Sequence, residues 1–149
     1  MTTHEPPPGW PRISSAVAYR DAKAAIAFLQ AAFGFEVRLL VEGADGDVQH
    51  SQLTLGGGLV MVHGERTGDA AHGGIERRSP LSAGGVNTQA MMVFVDDADA
   101  HCARARAAGA RIVTEPRTTD YGPDHWADRS YQAADPEGHG WWFTQRVRG

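Results

Sequence analysis

The sequence predicts an α+β protein made of two tandem βαβββ modules. Two observations lead to this fold class: an aromatic strand follows an Asp-Pro-Glu-Gly-His turn near the C-terminus, and the order strand, helix, three strands occurs twice. Asp96 follows Asp21 by 75 residues, and Gly109 follows Gly34 by the same interval. Because aspartate favours helix starts and glycine favours helix ends, this shared offset indicates a duplicated unit.

Composition excludes several classes of protein. The 149 residues, 42% apolar and 21% charged, are typical of a globular protein with its own core. A formal net charge of −4 creates no basic field for nucleic acid, and no apolar run reaches the roughly 20 residues of a membrane span. We therefore expect neither nucleic acid nor a membrane as a partner. The single cysteine, Cys102, and an N-terminus without a signal-peptide pattern make the cytoplasm the expected compartment.

The first module is predicted over residues 12–65, after an extended tail over residues 1–11. Its first strand, 12–20, carries Val17 and Tyr19 among small residues. Asp21 begins an alanine-rich helix, which ends at Gly34. Three strands separated by glycine-rich turns follow over 35–41, 48–55 and 59–63.

The second module is predicted over residues 88–149, after a linker or mobile loop over residues 66–87 that is rich in glycine and lacks periodicity. Asp96 or Asp97 begins its helix, and residues 117–127, around Gly122 and Pro123, are loop-like. The predicted strands of this module are 88–95, 110–114, 129–133 and 140–146.

The two modules, with Asp135-Pro136-Glu137-Gly138-His139 before the aromatic last strand, resemble the vicinal oxygen chelate superfamily. That group contains glyoxalase I, bleomycin-resistance proteins and extradiol dioxygenases. The resemblance covers residues 11–146 and implies that each module forms a cup, the concave face of a curved sheet, which holds a ligand or a divalent metal ion. It also implies that modules pair within one chain or across a homodimer. The scaffold hosts many activities, so function must be argued from the site.

Metal-dependent members of this superfamily place His, Gln or Glu on the first strand of each module and Glu on the last. The corresponding positions here are Ser15, Met61, Ala90 and Trp142. None of these is a good metal ligand, so we expect no metal and no other cofactor. The strongest objection is His63, which lies two residues beyond Met61 on the same strand face and which His50 and Gln52 could assist.

The strand faces that lost the metal ligands are apolar and aromatic, which suits a flat organic ligand. Three aromatic residues in or beside the loop before the last strand could form a lid, and could equally be plugs or dimer contacts: Tyr121, Trp126 and Tyr131. The predicted ligand-binding residues are Ser15, Tyr19, Met61, His63, Met92, Phe94, Tyr121, Trp126 and Trp142. The same residues allow a second interpretation, in which Trp142 fills the space of the metal and leaves a collapsed, inert cup.

The predicted function is metal-independent binding that sequesters a small aromatic or peptide-like compound, similar to the bleomycin-resistance branch, in a homodimer. No catalytic residue is assigned. The alternative is a metal-dependent lyase, isomerase or dioxygenase with an unconventional ligand set around His63, His50 or Gln52. A third interpretation is an accessory or regulatory domain. Cys102 is expected to point into the core and His101 to be exposed, so neither is assigned to chemistry.

Overall fold

In a computed structural model of the chain, residues 5–149 are described. They form two compact units: the first comprises residues 5–30 and 34–79, and the second comprises residues 31–33 and 80–149. Each unit has one four-stranded mixed sheet and one α-helix, which confirms the predicted α+β class. The start of the predicted tail, residues 1–4, lies outside the described residues. No helix among residues 5–149 is long and apolar enough to cross a membrane.

The sheet of the first unit has the strand order β1-β4-β3-β2, with β1 parallel to β4 and the other pairs antiparallel. Every strand of this sheet overlaps a predicted strand. The edge strand β2 is exposed along its whole length. The four strands are β1 (Ser15–Tyr19), β2 (Glu36–Glu42), β3 (Val48–Leu55) and β4 (Gly58–Gly64).

The helix of the first unit, α1 (Ala22–Phe28), begins at Asp21 as predicted. The Asp21 carboxylate accepts a hydrogen bond from the Ala24 N–H at 3.0 Å. A π-helical turn over Leu29–Phe33 follows, and Gly34 ends it at a φ of 82°. A left-handed φ of this size suits glycine, because glycine has no Cβ to clash with the carbonyl.

The second helix, α2 (Ala98–Ala107), begins at Asp97, whose carboxylate accepts from the Ala100 N–H at 2.9 Å. The two helix caps, Asp21 and Asp97, therefore lie 76 residues apart, one more than the helix-ending glycines. The π-helical turn explains the difference. Its hydrogen bonds span five residues instead of four, so it accommodates one inserted residue in the first helix.

The sheet of the second unit repeats the same topology, with the order β5-β8-β7-β6 and with β5 parallel to β8. One strand is longer than predicted. β6 continues through Pro116 to Asp120, so the predicted loop over 117–127 shrinks to residues 121–126. The pairing of β6 with β7 shifts register between Ile112 and Arg117, and an irregular edge strand of this kind tolerates proline. The four strands are β5 (Met91–Phe94), β6 (Arg111–Asp120), β7 (Ala127–Ala134) and β8 (Gly140–Arg148).

The aromatic strand β8 is central in its sheet and supplies the core of the second unit. Trp141 and Phe143 are both fully buried. The Phe33 ring lies 4.6 Å from that of Phe143 and 5.6 Å from that of Trp141, measured between centroids. These contacts explain why residues 31–33 belong to the second unit.

The turn before β8 is organised by Asp135. Its Oδ1 accepts hydrogen bonds from the backbone N–H groups of Glu137 and His139, both at 3.1 Å. Its Oδ2 accepts from the Trp141 indole at 3.2 Å. Gly138 closes the turn at a φ of 95°, so the predicted Asp-Pro-Glu-Gly turn is present. One buried carboxylate thus satisfies three donors and fixes the start of β8.

The face of β1 that meets the pocket of the first unit differs from the predicted one. Ser15 and Tyr19 were expected to line it, but Tyr19 is only 1% exposed and belongs to the core, as does Val17 on the same strand face. Ala16, which pairs with Met61 in the parallel register, takes the predicted place. The assignment was one residue out of phase because small and apolar residues occupy both faces of β1 and leave no alternation.

The segment predicted as a linker, residues 66–87, is folded. Arg66 and Arg77 exchange two backbone hydrogen bonds of 2.9 Å, so residues 66–77 form a closed loop in the first unit. The division between the units falls after Ser79, inside the predicted linker. The turn-rich composition gave no indication of this folded loop, because backbone pairing between two arginines has no sequence pattern.

Candidate ligand-binding site

The second unit contains a pocket of about 490 Å³ on one face of its sheet. Strand register brings its lining together in rows. Ser130 of β7 pairs with Arg117 of β6 on one side and with Thr144 of β8 on the other. In the parallel pair, Met92 of β5 lies beside Trp142 of β8. All four strands of this sheet therefore contribute side chains to one pocket.

The loop over residues 121–126 adds two rings to the lining, those of Tyr121 and Trp126, whose centroids are 5.8 Å apart. The Arg146 guanidinium lies 5.0 Å from the Trp126 centroid and 5.6 Å from the Phe94 centroid. These are cation–π distances. The guanidinium therefore bridges a ring of the loop and a ring of β5, and it holds the aromatic wall in place.

The charge of Arg146 is neutralised inside the pocket. Its Nε donates to Oδ1 of Asp128, a residue only 9% exposed. Charge-assisted hydrogen bonds of this type are stronger than neutral ones. Because the Asp128 carboxylate is already used by Arg146, Arg117 supplies the charge of the lining that is not neutralised, beside a flat aromatic surface.

Several large apolar residues of the lining are exposed to solvent, including Met92 at 57%, Phe94 at 52% and Trp126 at 41%. Exposed apolar groups gathered in a concavity are typical of binding sites. Trp142 is half-buried and lines the pocket without filling it. The collapsed cup that the sequence left open as a second interpretation is therefore not observed in the second unit.

Five of the nine predicted ligand-binding residues line this pocket. Their role in binding remains a prediction. The five are Met92, Phe94, Tyr121, Trp126 and Trp142. Tyr131, grouped with the loop aromatics from the sequence, is instead fully buried in the core.

Sequence reasoning missed the lining residues of β6 and β7. Arg117 and Thr119 were assigned to a loop, and Asp128 and Ser130 were not considered. A usable signal existed, because Arg117, Thr119 and Tyr121 alternate with period two and so share one strand face. The proline at position 116 obscured that signal.

The first unit has a smaller pocket, of about 220 Å³. Met61 and His63 line it as predicted, whereas Ser15 and Tyr19 do not. The lining is polar and basic instead of aromatic. Its other members are Ala16, Gln49, His50, Arg66, His72 and Arg77.

His63 is held in one orientation within this pocket. Its Nδ1 lies 2.6 Å from the Gly64 carbonyl oxygen, so Nδ1–H donates and Nε2 is the nitrogen left for other contacts. Burial lowers the pKa of His63, and the charges of Arg66, Arg77 and His50 lower that pKa further, against the opposing effect of the Gly64 hydrogen bond. Burial therefore favours the neutral form of His63.

The donors near His63 do not fit the divalent metal that the superfamily resemblance implies. The His50 Nε2 is 3.1 Å from the Gln52 amide nitrogen, so these two groups already contact each other. Arg66 and Arg77 line the same pocket and would repel a cation. Within residues 5–149, no three His, Cys, Asp or Glu side chains are arranged to hold a metal ion.

Cys102 and His101, which were considered for chemistry from the sequence, lie outside both pockets. Cys102 is buried, as expected, and burial raises the pKa of its thiol. His101 was expected to be exposed but is half-buried: its Nε2–H donates to the Phe33 carbonyl at 2.9 Å, and its Nδ1 lies 2.5 Å from the Tyr131 hydroxyl. Both side chains are packed or hydrogen-bonded within the second unit, and neither lines either pocket.

Two βαβββ units, each with a pocket on its sheet, define the class of glyoxalase-like proteins. Residues 13–143 match the family model of the Glyoxalase/Bleomycin resistance protein/Dioxygenase superfamily, and the chain belongs to this family. The expected resemblance to the vicinal oxygen chelate superfamily is thus confirmed.

Relatives with similar sequences and structures agree with this assignment. The chain is 33% identical over 138 residues to the uncharacterized protein Mb0911c of Mycobacterium bovis, which covers 93% of this chain and 85% of that protein. It is similar to the crystal structure of TioX from Micromonospora sp. ML1, with 34% identity, a TM-score of 0.65 and coverage of 93% of this chain and 98% of TioX. TnmS3, an antibiotic binding protein from Streptomyces sp. CB03234, shares the fold at 20% identity and a TM-score of 0.62, with 90% and 93% coverage.

Proposed function

We propose that the protein binds and sequesters a small compound with a flat aromatic group in the second-unit pocket, without a metal ion. The observation that carries the proposal is an aromatic lining that remains open to solvent. A volume of about 490 Å³ lies within the range of pockets that hold drug-sized ligands. Trp142 and Trp126 supply ring faces, and each stacking contact stabilises a complex by about 0.5–1.5 kcal/mol beyond the buried area.

Polar groups in the lining would orient such a ligand. The Ser130 hydroxyl donates to the Thr144 hydroxyl at 3.0 Å, which leaves the pair able to bond one more group. The Arg117 guanidinium has no hydrogen bond or ion pair with any other residue of the described chain, so it can donate to a ligand acceptor. The preferred ligand therefore combines an aromatic surface with hydrogen-bond acceptors.

The family supports ligand binding of this kind. TnmS3 is described as an antibiotic binding protein, and it uses the same fold. A likeness at 20% identity concerns the scaffold only, so the ligand class proposed for this chain rests on its own pocket residues.

Isothermal titration with polycyclic probes tests the proposal. Acridine and anthraquinone, each with and without a carboxylate, present flat rings that match the lining. We expect saturable binding with one site per chain and recovery of the probe unchanged, as mass spectrometry would show. A probe converted to product would contradict sequestration, and the absence of saturable binding for every probe would contradict the aromatic site.

Matched variants locate the site. Trp142→Leu and Trp126→Leu keep an apolar side chain but remove the ring faces, so each should weaken probe binding about two- to tenfold. Trp10→Phe, which changes a tryptophan of the first unit outside the pocket lining, should bind like the unchanged protein. Equal affinities in all three variants would place the probe elsewhere.

The metal-dependent alternative has a separate test. A lyase, isomerase or dioxygenase would need donors around His63, but Arg66 and Arg77 occupy that pocket. Elemental analysis after dialysis against EDTA should find no stoichiometric divalent ion, and probe affinity should be unchanged by the treatment. A retained ion that is lost in His63→Ala would favour the enzyme.

A homodimer remains part of the proposal, with β2 as the contacting element. This edge strand carries four exposed aliphatic residues, Val37, Leu39, Leu40 and Val41, on both of its faces. Open apolar edge strands readily pair with a second chain, and a second copy of this chain supplies a matching strand. Sedimentation equilibrium should give twice the chain mass, and Leu40→Lys should give the monomer mass. A monomer at all concentrations would contradict this part.

A further inference from the structure

The pocket of the first unit gathers basic side chains. Two arginines and three histidines line it, and no Asp or Glu appears among its lining residues in the described chain. The five side chains are His50, His63, Arg66, His72 and Arg77. A concentration of cationic donors without a carboxylate is unusual in a chain of formal charge −4, and it is the feature that the proposed function leaves unexplained.

The fold brings these groups together from three segments. His50 lies on β3 and His63 on β4, the neighbouring strand. The loop that follows β4 returns to the sheet through the backbone pair between Arg66 and Arg77. The loop thus serves to close one side of the pocket with basic residues.

The two arginines have different surroundings. Arg66 is fixed: its guanidinium donates to the carbonyls of Gly64 and Gln49 at 3.2 and 3.1 Å, and its side chain is only 17% exposed. One carboxylate, that of Asp47, lies 4.0 Å away. Arg66 therefore contributes a positive charge that these hydrogen bonds hold in place at the pocket.

Arg77 is half-buried, but its guanidinium makes no hydrogen bond or ion pair with any other residue between 5 and 149. The neighbouring arginine, Arg78, does have a partner, because it forms an ion pair with Glu76 at 2.7 Å. A partly buried guanidinium without a partner retains donors for a ligand, and its planar fork matches two oxygens of one anion.

We propose that the first-unit pocket binds an oxyanion, a carboxylate or phosphate group of a small compound, through Arg77 with Arg66 and His63 beside it. The pocket volume of about 220 Å³ suits one anionic group with a short attached chain. The site is separate from the aromatic pocket and goes beyond the function proposed above. Either site can fail its test without affecting the other.

NMR titration with sodium sulfate tests the site, because sulfate stays divalent across the pH range used. Backbone amide signals of residues 63–66 and 77 should shift and saturate at constant ionic strength, which is held with sodium chloride. Acetate and inorganic phosphate should compete for the same signals, and their relative affinities distinguish a carboxylate site from a phosphate site.

A charge-matched pair of variants separates the site from the general field of the loop. Arg77→Gln and Arg78→Gln each remove one positive charge from the same segment, but only Arg77 lines the pocket. Loss of a guanidinium–oxyanion contact should weaken sulfate binding about tenfold or more in Arg77→Gln, with little change in Arg78→Gln. Equal weakening in both variants, or shifts that do not saturate, would overturn the proposal.

The pH dependence of binding gives a second readout. The titratable and charged groups around His63 are His50, His72, Arg66, Arg77 and, beyond Arg66, Asp47. A bound anion favours the protonated imidazole, so sulfate should bind more tightly as pH falls from 8 to 5.5 and should raise the pKa of His63. His63→Gln should flatten this dependence, and a dependence that is unchanged in His63→Gln would contradict the role of His63.

Discussion

Lowering the pH from 7.5 to 5.5 should destabilise the protein, in part through His101. The carbonyl of Phe33 can only accept, so His101 Nε2 carries the proton and Nδ1 accepts from the Tyr131 hydroxyl. Burial raises the pKa of Tyr131, which keeps the phenol protonated. A second proton on His101 would place a positive charge in a low-dielectric site.

The sign and the size of the effect follow from linkage. Burial lowers the pKa of His101, and Arg104 lowers it further, while the Phe33 hydrogen bond opposes both. In the unfolded chain His101 takes up the proton near pH 6.5, and in the folded chain it does so at lower pH. The contribution of neutral His101 to the free energy of unfolding is therefore fully present above pH 6.5 and is lost as the pH falls below it. The slope reaches at most about 1.4 kcal/mol per pH unit for one histidine. His63, whose pKa is also lowered, can add a similar slope.

Urea unfolding at several pH values measures this slope directly. His101→Gln removes the titration, so its free energy of unfolding should depend less on pH, by up to about 1.4 kcal/mol per pH unit between pH 6.5 and 5.5. His125→Gln, a change at an exposed histidine, should keep the slope of the unchanged protein. A His101→Gln variant with an unaltered slope would refute the account of this site.

Three further predictions concern the fold. Asp97→Ala should lower the free energy of unfolding by about 1 kcal/mol, because it removes the cap of α2, whereas Asp96→Ala should change it by less than about 0.5 kcal/mol in the same denaturation assay. Cys102 should react with a thiol reagent only as fast as the protein unfolds, and fast native-state labelling would contradict its burial. Asp135→Ala leaves three donors without their shared acceptor and should lower the free energy of unfolding by about 3–5 kcal/mol. Asp135→Asn should lower it by less. Similar losses of unfolding free energy in both variants would contradict the role of the carboxylate.

The fold was largely predictable because its signals are local. Asp21 and Gly34 mark the ends of a helix, and the turn around Asp135 marks the start of the central strand. Each of these residues acts on backbone groups a few positions away in the chain, so the local sequence is enough to predict its effect. The repeated order of elements then limits the topology to two similar units.

The pockets were less predictable because they depend on phase and register. On β8, alternation between Trp141 and Trp142 separates the core from the pocket correctly. On β1, alanines beside Val17 and Tyr19 give no such contrast, and the pocket face was misassigned by one residue. A strand signals its faces only when their polarity differs.

Contacts between residues distant in sequence could not be predicted from local patterns. The contact of Arg146 with Asp128 depends on the register of β7 against β8, and the position of Arg77 depends on a loop closed by backbone hydrogen bonds. His101 looked like an exposed helical residue because its partners, Tyr131 and Phe33, are distant in sequence. Polar networks that join separate elements leave little trace in local patterns.

The indole N–H signals of the four tryptophans test the central claim most directly. In a nitrogen-15 NMR titration of the EDTA-treated protein with an acridine probe, the signals of Trp126 and Trp142 should shift and saturate together. The signal of Trp141, which is fully buried, should remain in place, and so should that of Trp10. Shifts confined to Trp10, or no shift at Trp126 and Trp142 without an added divalent metal, would contradict a metal-independent aromatic site in the second unit.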